Sequence, residues 1–262
     1  MRIVVKVGTS TLAHAGGRLN IRRVELLCKV LSDLKNAGHE IVLVSSGAIG
    51  MGVGKLGLAG RPSDMPGKQA AAAVGQCELM YTYDKLFSEY SHTVAQILLT
   101  ADDIQDKRRS SRVHDTLQQL LAWGAMPIIN ENDAVATDEI GIQTTIGEND
   151  TLSAVVARLL QADLLVLLSD IDGLYTADPR KHPDATLIPV VEEITPEILS
   201  LAGDAGSSLG SGGMATKLKA AKIATEAGID MVIANGEAPE VLYQLFEGKP
   251  VGTRFAGRRC CV

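Results

Sequence analysis

Aromatic side chains are scarce in this sequence, at 3%, and positive charge does not dominate: 25 Lys and Arg stand against 31 Asp and Glu, a formal net charge of −6. A nucleic-acid surface draws on a basic field and on rings for base stacking, so this composition argues against that class of partner. The one basic cluster, Lys107-Arg108-Arg109 with Arg112, lies in an otherwise acidic stretch and reads as a solvated loop or a subunit contact. Long apolar runs are missing too. The longest aliphatic run, Leu164 to Leu168, falls far short of the roughly 18 residues that a membrane span requires. Arg2 is followed at once by the strand-like Ile3-Val4-Val5 rather than by the apolar core of a secretory signal, so a soluble protein of the cytoplasm is expected.

Thiol and imidazole chemistry has little to work with. The four cysteines show no metal-type spacing. Cys28 and Cys77 fall inside apolar helical patterns and read as buried structural thiols, while Cys260 and Cys261 close the chain without an assigned role. The five histidines, His14, His39, His92, His114 and His182, fall in turns or at element starts and do not cluster. No internal repeat or low-complexity tract is visible, and no separate metal site is expected.

What the chain does contain is aliphatic: 46% of its residues are hydrophobic, enough for a substantial core, and residues 1–262 read as one domain without a linker. Short aliphatic runs at Ile3 to Val7, Ile41 to Val44, Val94 to Leu99, Met126 to Ile129, Leu164 to Leu168 and Met231 to Ala234 predict buried strands. Helical patterns lie between them at Ile21 to Asn36, Lys68 to Glu89, His114 to Trp123, Asp150 to Leu160 and Met214 to Ala227, each with a glycine stop or a polar start. The alternation predicts an α/β fold, a mostly parallel central sheet sandwiched between helices. Gly50 to Pro66, with five glycines and two prolines, and Gly203 to Gly213 read as mobile loops, the second as a lid.

Such sheets bind ligands beyond the carboxyl ends of their strands. The segments that follow strands are Lys6-Val7-Gly8-Thr9-Ser10, Ser45-Ser46-Gly47-Ala48-Ile49, Asn130-Glu131-Asn132-Asp133 and Ser169-Asp170-Ile171-Asp172-Gly173. A further stretch, Gly206-Ser207-Ser208-Leu209-Gly210-Ser211-Gly212-Gly213-Met214-Ala215-Thr216-Lys217, runs from glycines into a helix that opens with a lysine. Backbone N–H groups at such a helix start suit a phosphate, and Lys217 adds a full charge. It is not a P-loop, because Thr216 precedes the lysine instead of following it. The alternative is a flexible surface loop.

Lys6 sits within an apolar strand, where a buried ammonium calls for an anion, unless the strand lies at an edge and the side chain reaches water. Asp150, in Gly147-Glu148-Asn149-Asp150, is either a helix N-cap or a carboxylate held between Lys6 and Lys217. The loop from Asn130 to Asp133 is open to the plainer reading of polar residues satisfying their own backbone.

Taken together, these segments resemble the amino acid kinase family over nearly the whole chain, and within it the branch that phosphorylates the side-chain carboxylate of glutamate. The resemblance implies that Lys6 and Lys217 stabilise the moving phosphoryl group and that Asp150 organises them. It places Ser46, Asp133 and Asn149 on glutamate, and Lys6, Ser169, Asp170 and Ser211, Gly212, Gly213, Met214, Ala215, Thr216 and Lys217 on ATP. Mg²⁺ is expected to arrive with the nucleotide. A carboxylate with a reference pKa of about 4.3 is already an anionic nucleophile at neutral pH, so no general base is needed. The resemblance also implies inhibition by proline, a homodimer or homotetramer, and hand-over of the acyl phosphate to a reductase. Many relatives carry a C-terminal PUA domain, and none is expected here. Rival readings are family members acting on N-acetylglutamate, aspartate, carbamate or a nucleoside monophosphate, and a non-catalytic nucleotide or amino-acid sensor.

Overall fold

A computed structural model describes residues 1–14, 18–135, 148–202 and 213–258. In chain order, β1 (Arg2–Val7) passes through the short α1 (Thr9–Leu12) to α2 (Ile21–Asn36) and β2 (Glu40–Ser45). The pair α3 (Ala48–Leu56) and α4 (Met65–Ser88) precedes β3 (Val94–Leu99), and α5 (Ala101–Gln105) and α6 (Lys107–Ala122) precede β4 (Met126–Glu131). The second half holds α7 (Asn149–Leu160), β5 (Leu164–Ser169), β6 (Val190–Val191), α8 (Pro196–Ser200), α9 (Met214–Glu226), β7 (Asp230–Asn235), α10 (Val241–Phe246) and β8 (Thr253–Phe255).

The strands form one sheet in the order β3-β4-β2-β1-β5-β7-β8-β6. Neighbours run parallel except at β7 and β8, which pair antiparallel. The aliphatic strands bury both faces by simple alternation. Val4, Val42, Val44, Leu165 and Leu167 pack one way, against Leu152 and Val156 of α7 and Leu218 and Ala221 of α9. Ile3, Val5, Ile41, Leu43 and Val166 pack the other way, against Leu27 and Leu31 of α2 and Leu79 and Tyr83 of α4. Lys6 shares the parity of Val4, so its side chain is directed to the face covered by α7 and α9. The chain builds β2, β4 and β3 on one side of β1 and then crosses to β5 on the other, so the crevice at this switch lies above the carboxyl end of β1.

The six expected strands and five expected helices are all present, with altered ends: α4 begins at Met65 behind an Asp64 cap, and α6 begins at Lys107 behind an Asp106 cap. The basic cluster at 107–112 is therefore the first turns of a helix and not a loop, and His114 is a mid-helix residue. Cys28 is buried as expected, but Cys77 is exposed.

The largest departure is α3. Its glycines suggest mobility, yet Ala48–Leu56 is helical and stops at Gly57 in the left-handed region, φ 64°. The reason is packing. A Cβ on Gly52 would stand 1.8 Å from the Ala71 carbonyl oxygen, and one on Gly75 would stand 1.7 Å from that of Ala48. The glycines let α3 and α4 meet backbone to backbone. Positions 203–212, most of the expected lid, lie outside the described residues, as do Gly147, Cys260 and Cys261.

Candidate active site

Lys6 stands one residue before the end of β1, Asp150 in the first turn of α7 and Lys217 in the first turn of α9. Three segments far apart in sequence thus meet. Lys6 Nζ lies 2.6 Å from Asp150 Oδ1, and Lys217 Nζ lies 3.1 Å from Asp150 Oδ2. All three residues are buried. Thr216 Oγ1 also donates to Asp150 Oδ2, at 3.0 Å.

Both alternatives left by the sequence are decided here. Because β1 is central, Lys6 is not an edge lysine reaching for water. The N-cap of α7 is Glu148, so Asp150 does not cap the helix but sits inside it with its carboxylate turned onto the lysines. Burial alone would raise the Asp150 carboxyl. The charges of Lys6 and Lys217, with their hydrogen bonds, override burial and hold it below its ordinary range.

A second cluster adjoins the first through Asn149. Its Nδ2 donates to Ser46 Oγ at 2.8 Å and to Asn130 Oδ1 at 3.1 Å, while its Oδ1 is buried without a partner among the described residues. Asn130, near the end of β4, donates in turn to Gln76 Oε1 of α4 at 2.9 Å. Asp133 follows two residues after β4 and bonds neither Ser46 nor Asn149 among the described residues. It is half-buried, and burial pushes its carboxyl up, partly offset by the Arg61 guanidinium.

On the other flank, an open cleft lies between the segment after β5 and the start of α9, lined among others by Asp170, Tyr175, Pro179, Gly213, Met214 and Lys217. Lys217 therefore belongs to both the cleft and the ion-paired clamp. Asp170 accepts from Ser169 Oγ at 3.2 Å and pairs with Arg180 at 3.5 Å. Ser169 is buried at the end of β5, Thr216 is turned toward Asp150, and Ala215 is exposed in the first turn of α9. Ser211 and Gly212 lie outside the described residues.

The amino acid kinase family model matches residues 1–235 of this chain. The chain belongs to the amino acid kinase family. It is similar to the protein named glutamate 5-kinase in Clostridium perfringens, 54% identical over 98% of this chain and 96% of that one. It is likewise similar to that of Clostridium tetani, 58% identical over 97% of this chain and 93% of that one. This amino acid kinase also shares the fold of carbamate kinase from Giardia lamblia bound to AMP-PNP, with a TM-score of 0.68, 18% identity and 98% of each chain covered. It is accordingly an enzyme, a kinase.

Sequence reading missed Gln76 and passed over two further residues. Asn130 appears there only as part of a polar loop and Gln76 falls unremarked within the helical pattern from Lys68 to Glu89, yet they carry the hydrogen bonds that lead to Asn149. Glu148, the N-cap of α7, has a buried Oε2 without a hydrogen-bond partner among the described residues. Burial raises its carboxyl and Asp150 adds to the rise, against the Thr216 hydroxyl and the charges of Lys217 and Lys219.

Proposed function

We propose that this kinase transfers the γ-phosphoryl group of ATP to the side-chain carboxylate of L-glutamate, giving L-glutamyl 5-phosphate and ADP, the opening step of proline biosynthesis. The observation that carries the reading is the buried clamp, with Lys6 at 2.6 Å and Lys217 at 3.1 Å on the two oxygens of Asp150, beside an Asn149 Oδ1 that has no partner among the described residues. The near full-length identity to proteins named glutamate 5-kinase supports the choice of substrate.

The chemical obstacle is repulsion, since one anion must attack another. A carboxylate oxygen of glutamate forms a bond to the γ-phosphorus as the bond from phosphorus to the β,γ-bridging oxygen breaks, and ADP leaves with that electron pair. Charge on the transferred group is met by Lys6 and Lys217, which Asp150 holds in place before substrates arrive, so little reorganisation is needed during the step. Ser46 and Asn149 would bind glutamate, with Asp133 drawn to its α-ammonium group. Gly213, Met214 and Lys217 would take the phosphates at the helix start, Ser211 and Gly212 are assigned to the same phosphates, and Ser169 and Asp170 would border the nucleotide.

The residues fit this assignment. The cleft opens onto Lys217 and the N-terminal turn of α9, where a cation and backbone N–H groups suit phosphates. Both Asp150 oxygens already meet ammonium groups, so Mg²⁺, which lowers the charge on the phosphates when bound, would be held by those phosphates and by water. Proline competing at the glutamate site, self-association into dimers or tetramers and transfer of the acyl phosphate to a reductase belong to the same proposal.

The test is trapping. Enzyme, ATP and Mg²⁺ are incubated with glutamate, N-acetylglutamate or aspartate in the presence of hydroxylamine, which converts an acyl phosphate to a hydroxamate. Glutamate is expected to give the hydroxamate, and proline to raise the glutamate concentration required. Hydroxamate from another acid and not from glutamate would overturn the assignment.

A further inference from the structure

Gln76 of α4, Asn130 of β4, Asn149 of α7 and Ser46 after β2 form one line of hydrogen bonds, and a backbone group sets its direction. The Glu131 N–H donates to Asn130 Oδ1 at 2.9 Å, and since a backbone N–H only donates, that atom is the amide oxygen. Asn130 Nδ2 then donates to Gln76 Oε1 at 2.9 Å. On the other side both protons of Asn149 Nδ2 are committed, to Asn130 Oδ1 and to Ser46 Oγ. Two buried atoms remain without a partner among the described residues, the donor Gln76 Nε2 and the acceptor Asn149 Oδ1. Buried polar atoms are nearly always paired, so an unpaired acceptor beside the clamp points to a ligand that brings a donor.

We infer that Gln76 is a positioning residue: by occupying Asn130 Nδ2 it holds the Asn149 amide with its oxygen, not its N–H, facing the α-ammonium group of the substrate. This rests on the function proposed above. Without the Gln76 acceptor, Asn130 Nδ2 is left unsatisfied in a buried place. The competing arrangement turns Asn130 together with Asn149, giving up the Glu131 N–H bond for one to the Asn149 oxygen, which consumes the oxygen the ammonium group needs. Both ends of the line are braced on the same helix pair. Gly75, next to Gln76, lies against the Ala48 carbonyl so closely that a Cβ would come within 1.7 Å of it, and Ala48 opens α3 two residues after Ser46.

The test uses Gln76→Met, which keeps length and removes the acceptor, and measures hydroxamate formation from glutamate and from glutarate, the same diacid without the ammonium group. Loss of a buried hydrogen-bond partner predicts a rise in glutamate KM of about tenfold or more, with ATP KM changed by less than about twofold. The preference for glutamate over glutarate, as a ratio of kcat/KM, is expected to fall by a similar factor. In an Asn149→Ala background, Gln76→Met is expected to add little, because both act on one contact. An unmoved glutamate KM, an unmoved glutamate to glutarate ratio, or full multiplication of the two effects overturns the inference. Gln76→Glu keeps an acceptor for Asn130 Nδ2 but adds a negative charge, which disfavours the carboxylates of glutamate and glutarate alike and favours an ammonium group, so its glutamate to glutarate ratio is expected at or above that of wild type. A fall in that ratio of about tenfold or more overturns the inference however the Met variant folds. Wild-type enzyme that makes no hydroxamate from glutamate would overturn the proposed function itself, whereas an active wild type with an unaffected Gln76→Met removes only the role of Gln76.

Discussion

Replacing Asp150 by asparagine keeps the shape of the clamp and removes its charge. In the native protein each carboxylate oxygen holds one ammonium, Lys6 at 2.6 Å and Lys217 at 3.1 Å. The amide can still accept from one lysine, but its N–H₂ end then faces the other. Breaking a buried ion pair from one side costs about 3–5 kcal/mol, since the remaining charge is left without compensation. For a chain of this size about 3 kcal/mol corresponds to a fall in Tm of roughly 6–12 °C. Asp150 is held below its ordinary pKa, so its contribution is present above about pH 4 and is lost as pH falls through the lowered value. The Tm gap between Asp150→Asn and wild type therefore closes in acid. Catalysis suffers more than stability. A misplaced phosphoryl-stabilising group costs roughly 100- to 1000-fold in kcat, with a much smaller change in glutamate KM. Thermal unfolding and hydroxamate kinetics read both effects. A folded Asp150→Asn enzyme with kcat within about tenfold of wild type would refute the clamp as the catalytic device.

Lys217→Ala is expected to lower kcat by orders of magnitude with a smaller effect on glutamate KM, because its contact strengthens as charge develops; steady-state kinetics in both substrates will tell. Asp133→Asn removes a carboxyl that burial raises. The cost of ionising that carboxyl is absent below about pH 4 and grows as pH rises toward the raised value, so the variant should gain Tm at about pH 7, show no gain at low pH, and bind glutamate more weakly in titrations. Gly75→Val places a Cβ 1.7 Å from the Ala48 carbonyl oxygen, forcing α3 and α4 apart and lowering stability by about 3 kcal/mol or more, measured by denaturant unfolding.

The aliphatic strands were legible because a parallel sheet covered on both faces leaves no polar alternation, only β-branched and leucine runs. Helix α2 was legible at both ends, with the Asn20 cap before it and Gly38 at φ 91° after it. Helix α3 was hidden because glycine marks mobility in a loop and close approach in a packed helix, and only the partner helix distinguishes the two. Strand β6, at two residues, and β8, at three, are too short to carry a period. In the candidate site, burial of Lys6 demanded an anion, and the choice of Asp150 came from resemblance. Gln76 could not be read in advance: its partner Asn130 is supplied by the sheet, and an isolated Gln in an alanine-rich helix looks like any solvated residue.

The central claim, that a carboxylate attacks phosphorus directly between two lysines, is open to an isotope measurement. Glutamate labelled with ¹⁸O in its side-chain carboxylate is turned over with ATP and trapped with hydroxylamine, which attacks the acyl carbon and releases the transferred phosphate. Phosphorus NMR of that phosphate is predicted to show one ¹⁸O drawn from glutamate. Unlabelled phosphate released at the rate of ADP formation would mean that water, not the carboxylate, receives the phosphoryl group.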